Sequence, residues 1–257
     1  MNKILYACGD SFMYGMECLG DRNKSEENKQ LSFTKYLSDL LGCNQYVNNS
    51  ICGATNEFIF RQTVLDLINF EKQGINPSDV FVVVGITTLH RIEIDGERFY
   101  EPIVDKVWLE QQYSNEFFPK EFQQIKNIFV NPGSNYAINH NGTSVDTAKS
   151  IIPWCSQYLW TENVQLPQQE ARMIALHELL KAKGYPHVFV NTVCPLERTT
   201  AIDVNCKNYY KIAKDSFYTF ANFKYPTEKR EWNHFSTVSH RDYSELLYQY
   251  IVDHQLS

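Results

Sequence analysis

The chain lacks a basic stripe, a Cys-x-x-Cys pair, a run of transmembrane length, an internal repeat and any low-complexity tract. Each absence removes a class of function. With a formal net charge of −6 and its Lys and Arg scattered, the chain offers a phosphate polyanion no docking face, so nucleic acid is not expected as a partner. The seven cysteines are odd in number and carry no paired spacing, which argues against both a disulfide framework and a Cys/His metal centre. Reduced, buried thiols of a cytoplasmic protein are the simplest account, since Cys8 ends one core strand candidate and Cys194 directly follows another. The apolar stretch after Lys3 is too short for a secretory leader and is needed as the first strand. No membrane partner is therefore expected, and the sequons at Asn48 and Asn141 carry no weight. No metal or other cofactor is expected either.

What is present is an ordinary globular composition, 43% hydrophobic and 21% charged, enough for one α/β domain with or without a large insertion. Aromatic residues reach 14%, and two uses stay open for them: packing of a core and lid, or a surface that stacks on sugar rings. Four strand candidates stand out, at 3–8, 45–49, 80–85 and 187–193. Val80-Phe81-Val82-Val83-Val84 is apolar at every position, as a strand covered on both faces must be. Helical spacing falls between the strands. One helix is predicted over 31–41. Another follows an N-cap at Thr55 or Asn56, with Phe60, Val64, Leu67 and Ile68 on one face. A third covers 168–183, with Met173, Leu176 and Leu180 inward and Gly184 as its stop. The last covers 241–253, with a stripe of Tyr243, Leu246, Leu247, Tyr250 and Ile251. Alternating strands and helices imply βαβ units and a parallel sheet. Residues 98–161 break that alternation. They are expected to form an insertion between the third and fourth core strands, with helices of its own and a lid.

Gly9-Asp10-Ser11-Phe12 directly follows the first strand. That puts a hydroxyl at the C-terminal end of a sheet strand, where open α/β sheets hold ligands. Gly-Asp-Ser also suits a strand-to-helix turn for backbone reasons alone. The far end of the chain adds Glu231-Trp232-Asn233-His234-Phe235-Ser236 just before the last helix. A serine hydroxyl is a poor nucleophile until a base takes its proton, and histidine has the intrinsic pKa for both halves of acyl transfer. Ser11 with His234 therefore matches a serine hydrolase whose partners are distant in sequence. A Gly-x-Ser-x-Gly elbow is missing around Ser11, which speaks against the α/β-hydrolase fold. His240, next to Ser239 as a candidate N-cap, reads as a helix-entry residue, and Cys52 as a small buried one.

In order, Gly9-Asp10-Ser11-Phe12, the segment 48–56 with Gly53 and Asn56, Val84-Gly85-Ile86-Thr87-Thr88, and His234 resemble the blocks of the SGNH, or GDSL-type, hydrolases. The resemblance covers about 3–95 and 165–255. It implies a flavodoxin-like three-layer α/β/α fold and hydrolysis of acyl esters. It further implies Ser11 as nucleophile, His234 as general base and Glu231, three residues before His234, as the acid, where the family has aspartate. The oxyanion hole it implies comprises the backbone N–H groups of Ser11 and Gly53 together with Thr87, which stands where the family has asparagine. Asn56 and Arg91 are the candidate substrate contacts. The expected function is a serine esterase acting on an acyl ester, with acetyl as one candidate group, of a carbohydrate or other small molecule. An acyltransferase using the same acyl-enzyme and a non-catalytic binding protein on the same fold remain as alternatives.

Overall fold

The structure, a computed structural model, describes residues 3–20, 25–88, 91–94, 128–131, 136–139, 162–193, 206–210, 216–230 and 234–256. Contacts divide the chain into two compact units, 1–88 with 168–257, and 89–167.

The first unit is built on a five-stranded parallel sheet, in the order β2, β1, β3, β7, β8. Its strands are β1 (Ile4–Cys8), β2 (Gln45–Asn48), β3 (Val80–Ile86), β7 (His187–Asn191) and the two-residue β8 (Tyr209–Tyr210). β1, β3 and β7 are buried along their whole length, as the apolar runs require. Alternate residues point to opposite layers. On one side Leu5, Ala7, Phe81, Val83, Val188 and Val190 share a cluster with helices α2 (Phe33–Leu40), α5 (Phe217–Lys224) and α6 (Thr237–Asp253). Each fully buried aliphatic or aromatic side chain there contributes roughly 1.5–3 kcal/mol.

On the other side lie α3 (Asn56–Lys72) and α4 (Glu162–Lys183). Tyr6 meets Phe70 of α3 edge to face at 5.9 Å. Tyr185, just past α4, donates to the Leu67 carbonyl, and Lys183 pairs with Glu71 at 2.9 Å. The fold is thus three-layer α/β/α. Its aromatics are largely core residues, with Phe33, Phe217, Phe235, Tyr210 and Tyr243 packed ring against ring.

Two helical faces differ from the pattern read in the sequence. On α3 the buried stripe is Ile59, Phe60, Thr63 and Leu67, while Ile68 is exposed. Thr63 can join the core because its hydroxyl donates to the Ile59 carbonyl at 2.8 Å. α6 starts four residues earlier than expected, with Ser236 at the N-cap. Ser239 lies inside the helix, its hydroxyl turned back onto the Ser236 carbonyl. β8 and α5 were not foreseen.

In the second unit the described residues include an antiparallel sheet of β4 (Ile92–Ile94), β5 (Ile128–Asn131) and β6 (Tyr136–Asn139). Most of the stretch 98–161, where helices and a lid were expected, lies outside the described residues. Among the described residues no helix is long and apolar enough to cross a membrane.

Strand order decides where a ligand can sit. From β1 the chain moves outward to β2, then returns to place β3 on β1's other side. The order therefore reverses between β1 and β3, and the crevice at their C-terminal ends is the ligand position of such sheets.

Candidate active site

Ser11 stands at that crevice, three residues beyond β1, as the first residue of the one-turn helix α1 (Ser11–Tyr14). Asp10 caps the turn, its Oδ1 accepting from the Phe12 N–H at 3.1 Å. Gly15 ends it at φ 79°, the left-handed region that glycine enters without strain. Close packing also explains the glycines at the two strand ends. A Cβ on Gly9 or on Gly85 would lie 2.3 or 2.1 Å from Sδ of the fully buried Met13. Met13 thus locks the Ser11 turn down onto β1 and β3.

The loop after β2 is tied to the same turn. The Ile51 N–H donates to the Gly9 carbonyl at 3.0 Å, and Asn48 Nδ2 donates to the Met13 carbonyl at 2.8 Å. Gly53 follows, buried and at φ 80°, a conformation open to glycine. Thr55 then caps α3, accepting from the Phe58 N–H.

The end of β3 supplies Thr87. Its hydroxyl donates to Asp10 Oδ2 at 2.8 Å, both groups being fully buried. That bond commits the single hydroxyl proton to the cap of the Ser11 turn, so Thr87 stands as a brace between β3 and α1 and not as a free donor. Asn56 is similarly engaged. Its Oδ1 accepts from the Thr87 N–H at 2.9 Å, and its Nδ2 donates to the Thr87 carbonyl at 3.1 Å. A side chain so committed and only 1% exposed fixes the β3 end against α3.

His234 arrives from the other end of the chain. Its ring centroid lies 4.9 Å from that of Phe12, the residue after Ser11. Its Nδ1 lies 3.1 Å from Glu17 Oε2, and both side chains are nearly inaccessible. With Nδ1 facing a carboxylate, the proton of a neutral imidazole sits on Nδ1. His240, six residues on, is different. It is buried among Phe33 and Phe217, and its Nδ1 accepts from the Phe33 N–H at the start of α2. Burial, and then the charge of His234, push its pKa down to about 3. It is a core residue inside α6 and not the helix-entry residue expected, because the helix already starts at Thr237.

The structure thus gathers four separate segments at this rim, carrying Ser11, Gly53 with Asn56, Thr87 and His234. Arg91 belongs to the second unit, just before β4. Glu231 lies outside the described residues. Cys52 is buried, its Sγ 3.6 Å from Met16 Sδ, consistent with a packing role. Sequence reasoning assigned no role to Asp10 or Glu17. A signal for Glu17 existed: it is the lone charge in Tyr14-Gly15-Met16-Glu17-Cys18-Leu19, and an acid in an apolar run must find a partner. Among the described residues no three His, Cys, Asp or Glu gather as a metal site.

No protein-family model matches the chain, and no curated protein matches it. Among solved structures it is weakly similar to the crystal structure of phospholipase A1 from Streptomyces albidoflavus NA297, at 12% identity and a TM-score of 0.29, with the alignment covering all of this chain and 78% of that one.

Proposed function

We propose that the protein is a serine esterase of the SGNH type, hydrolysing an acyl ester of a small molecule or carbohydrate. One observation carries the reading: a histidine 223 positions downstream packs against the Ser11 turn, at the switch point of a parallel sheet, with its Nδ1 on a carboxylate.

In this reading the Ser11 hydroxyl attacks the ester carbonyl while His234 Nε2 takes its proton. Negative charge grows on the carbonyl oxygen. The Ser11 N–H is an available donor, since the first residue of a helix has no intrahelical acceptor. The Gly53 N–H is the second donor. Collapse of the tetrahedral species expels the alcohol, which receives the proton from His234, and leaves Ser11 acylated. Water, deprotonated by the same imidazole, then releases the acid. Thr87, Asp10 and Asn56 hold the turn and strand end in register.

A fluorophosphonate probe tests the assignment. Phosphonylation of Ser11, lost in Ser11→Ala and in His234→Ala, is the expected result. A folded protein whose Ser11 stays unmodified, and which does not hydrolyse p-nitrophenyl acetate, would sink the reading.

A further inference from the structure

We infer that Glu17 is the positioning carboxylate of His234, a role that rests on the esterase reading above and that the family spacing would give to Glu231. The geometry is direct: Glu17 Oε2 lies 3.1 Å from His234 Nδ1, with Glu17 only 3% exposed. A buried carboxylate is costly unless it meets a donor, and an imidazole Nδ1–H is such a donor. The contact fixes the tautomer with its proton on Nδ1 and aims Nε2 away from Glu17. It also stabilises the imidazolium that forms when Nε2 takes the serine proton.

The backbone adds an independent observation. Glu17 sits at φ 63°, in the left-handed region, where a non-glycine residue of this size is uncommon. Such conformations are strained and persist where their surroundings over-determine them. Here the determinants are visible. Gly15 turns the chain at φ 79°, in a space where a Cβ would strike the Asn28 carbonyl oxygen at 2.4 Å. The Met16 N–H then returns to the Ser11 carbonyl at 3.0 Å, and the Gly20 N–H donates to the Glu17 carbonyl at 2.8 Å. The turn that presents Ser11 therefore also carries the acid back beneath the imidazole. Nucleophile and orienting acid lie six residues apart on one tight segment, and the base alone comes from the far end of the chain.

Among the described residues, three other neighbours of His234 offer its Nδ1 no carboxylate. His240 faces it from α6, held neutral in the core and bonded to the Phe33 N–H. Cys18 lies beside the Phe235 carbonyl and its thiol is pushed up to about 12 by burial. Arg230 donates its backbone N–H to the His234 carbonyl, and its positive charge cannot accept from Nδ1.

The test compares Glu17→Gln, Glu17→Asp and Glu231→Gln in the full chain. Two readouts are used: NMR titration of the His234 imidazole, and the pH profile of kcat/KM with p-nitrophenyl acetate. Glu17→Gln should lower the imidazole pKa by about 1–2 units, because an opposite charge in contact is lost. It should cut kcat by about 10²-fold or more with little change in KM. Glu17→Asp should restore part of both, and Glu231→Gln should leave both near wild type. If Glu17→Gln fails to fold, Glu17→Asp carries the test through a smaller shift in the same direction. An unmoved titration in a folded Glu17 variant, or a larger loss in Glu231→Gln, overturns the assignment. The titration needs no substrate. A failed esterase reading would show as full turnover in Ser11→Ala, separately from any failure of the Glu17–His234 pairing.

Discussion

The two rims of the parallel sheet both hold buried histidines, and they surround them with different partners. At the C-terminal rim His234 meets a carboxylate, Glu17, beside the Ser11 turn. At the N-terminal rim His187 opens β7 with its Nδ1 on the Tyr185 carbonyl at 2.8 Å and its Nε2 on His177 Nδ1 at 2.9 Å. Cys206 closes that chain, its Sγ 3.8 Å from His177 Nε2. Every partner of His187 there is neutral. Burial pushes the His187 pKa down to about 4. Residue type is the same in both places and both rings are buried; what differs is the partner, a carboxylate at one rim and a carbonyl with a second imidazole at the other.

The comparison breaks most sharply at the reacting groups. Ser11→Ala and His234→Ala should each lower kcat for p-nitrophenyl acetate by about 10⁴-fold or more, and the double variant should lose little beyond either single one, because the two act as a unit. His187→Gln, on the other rim, should keep kcat within about twofold. Comparable losses on both rims would mean that the activity tracks folding and not a site.

Activity should also fall as pH is lowered, because only the neutral imidazole can take the serine proton. A flat profile between pH 5 and 8 would argue against an imidazole base.

Thr87 sharpens the contrast within the C-terminal rim. Thr87→Val keeps the shape but removes a donor from buried Asp10. We expect about 1–2 kcal/mol of lost stability and a fall in kcat of about tenfold, through a loosened Ser11 turn. A loss of 10²–10³ in kcat at unchanged stability would instead return Thr87 to the oxyanion hole, where the family resemblance put it.

The smallest effect is read in stability. His187 binds its proton near pH 6.5 when unfolded but only near pH 4 when folded. Between those values the unfolded chain carries the extra proton, so lowering pH through this window favours unfolding. The contribution of His187 is full above about pH 6.5 and is lost on the way down to about pH 4, about 3 kcal/mol in all. Buried His240 acts in the same sense. Chemical denaturation at several pH values should show this slope, and His187→Gln should make it shallower. An unaltered slope would mean that the His177–His187 link does not hold the ring neutral.

The sequence by itself determined the framework. Apolar runs at β1, β3 and β7 could satisfy their burial only in a covered parallel sheet, and Thr55 and Gly184 mark the helix boundaries seen at α3 and α4. The Ser11 turn and the distant His234 were legible for the same reason: local backbone rules place a turn at Gly9, and a helix stripe places His234 just before α6. Tertiary structure alone decided the partners. Thr87 turns its hydroxyl to Asp10 and Asn56 clamps the Thr87 backbone because strands adjacent in space are far apart in sequence. Glu17 reaches His234 only because Gly15 folds the chain back on itself, and Ile68 faces solvent because α3 rolls toward the sheet on Thr63. Periodicity reports which side of an element is apolar, but hydrogen-bond partners depend on angles and distances of a few ångströms that are set by packing against the other layers.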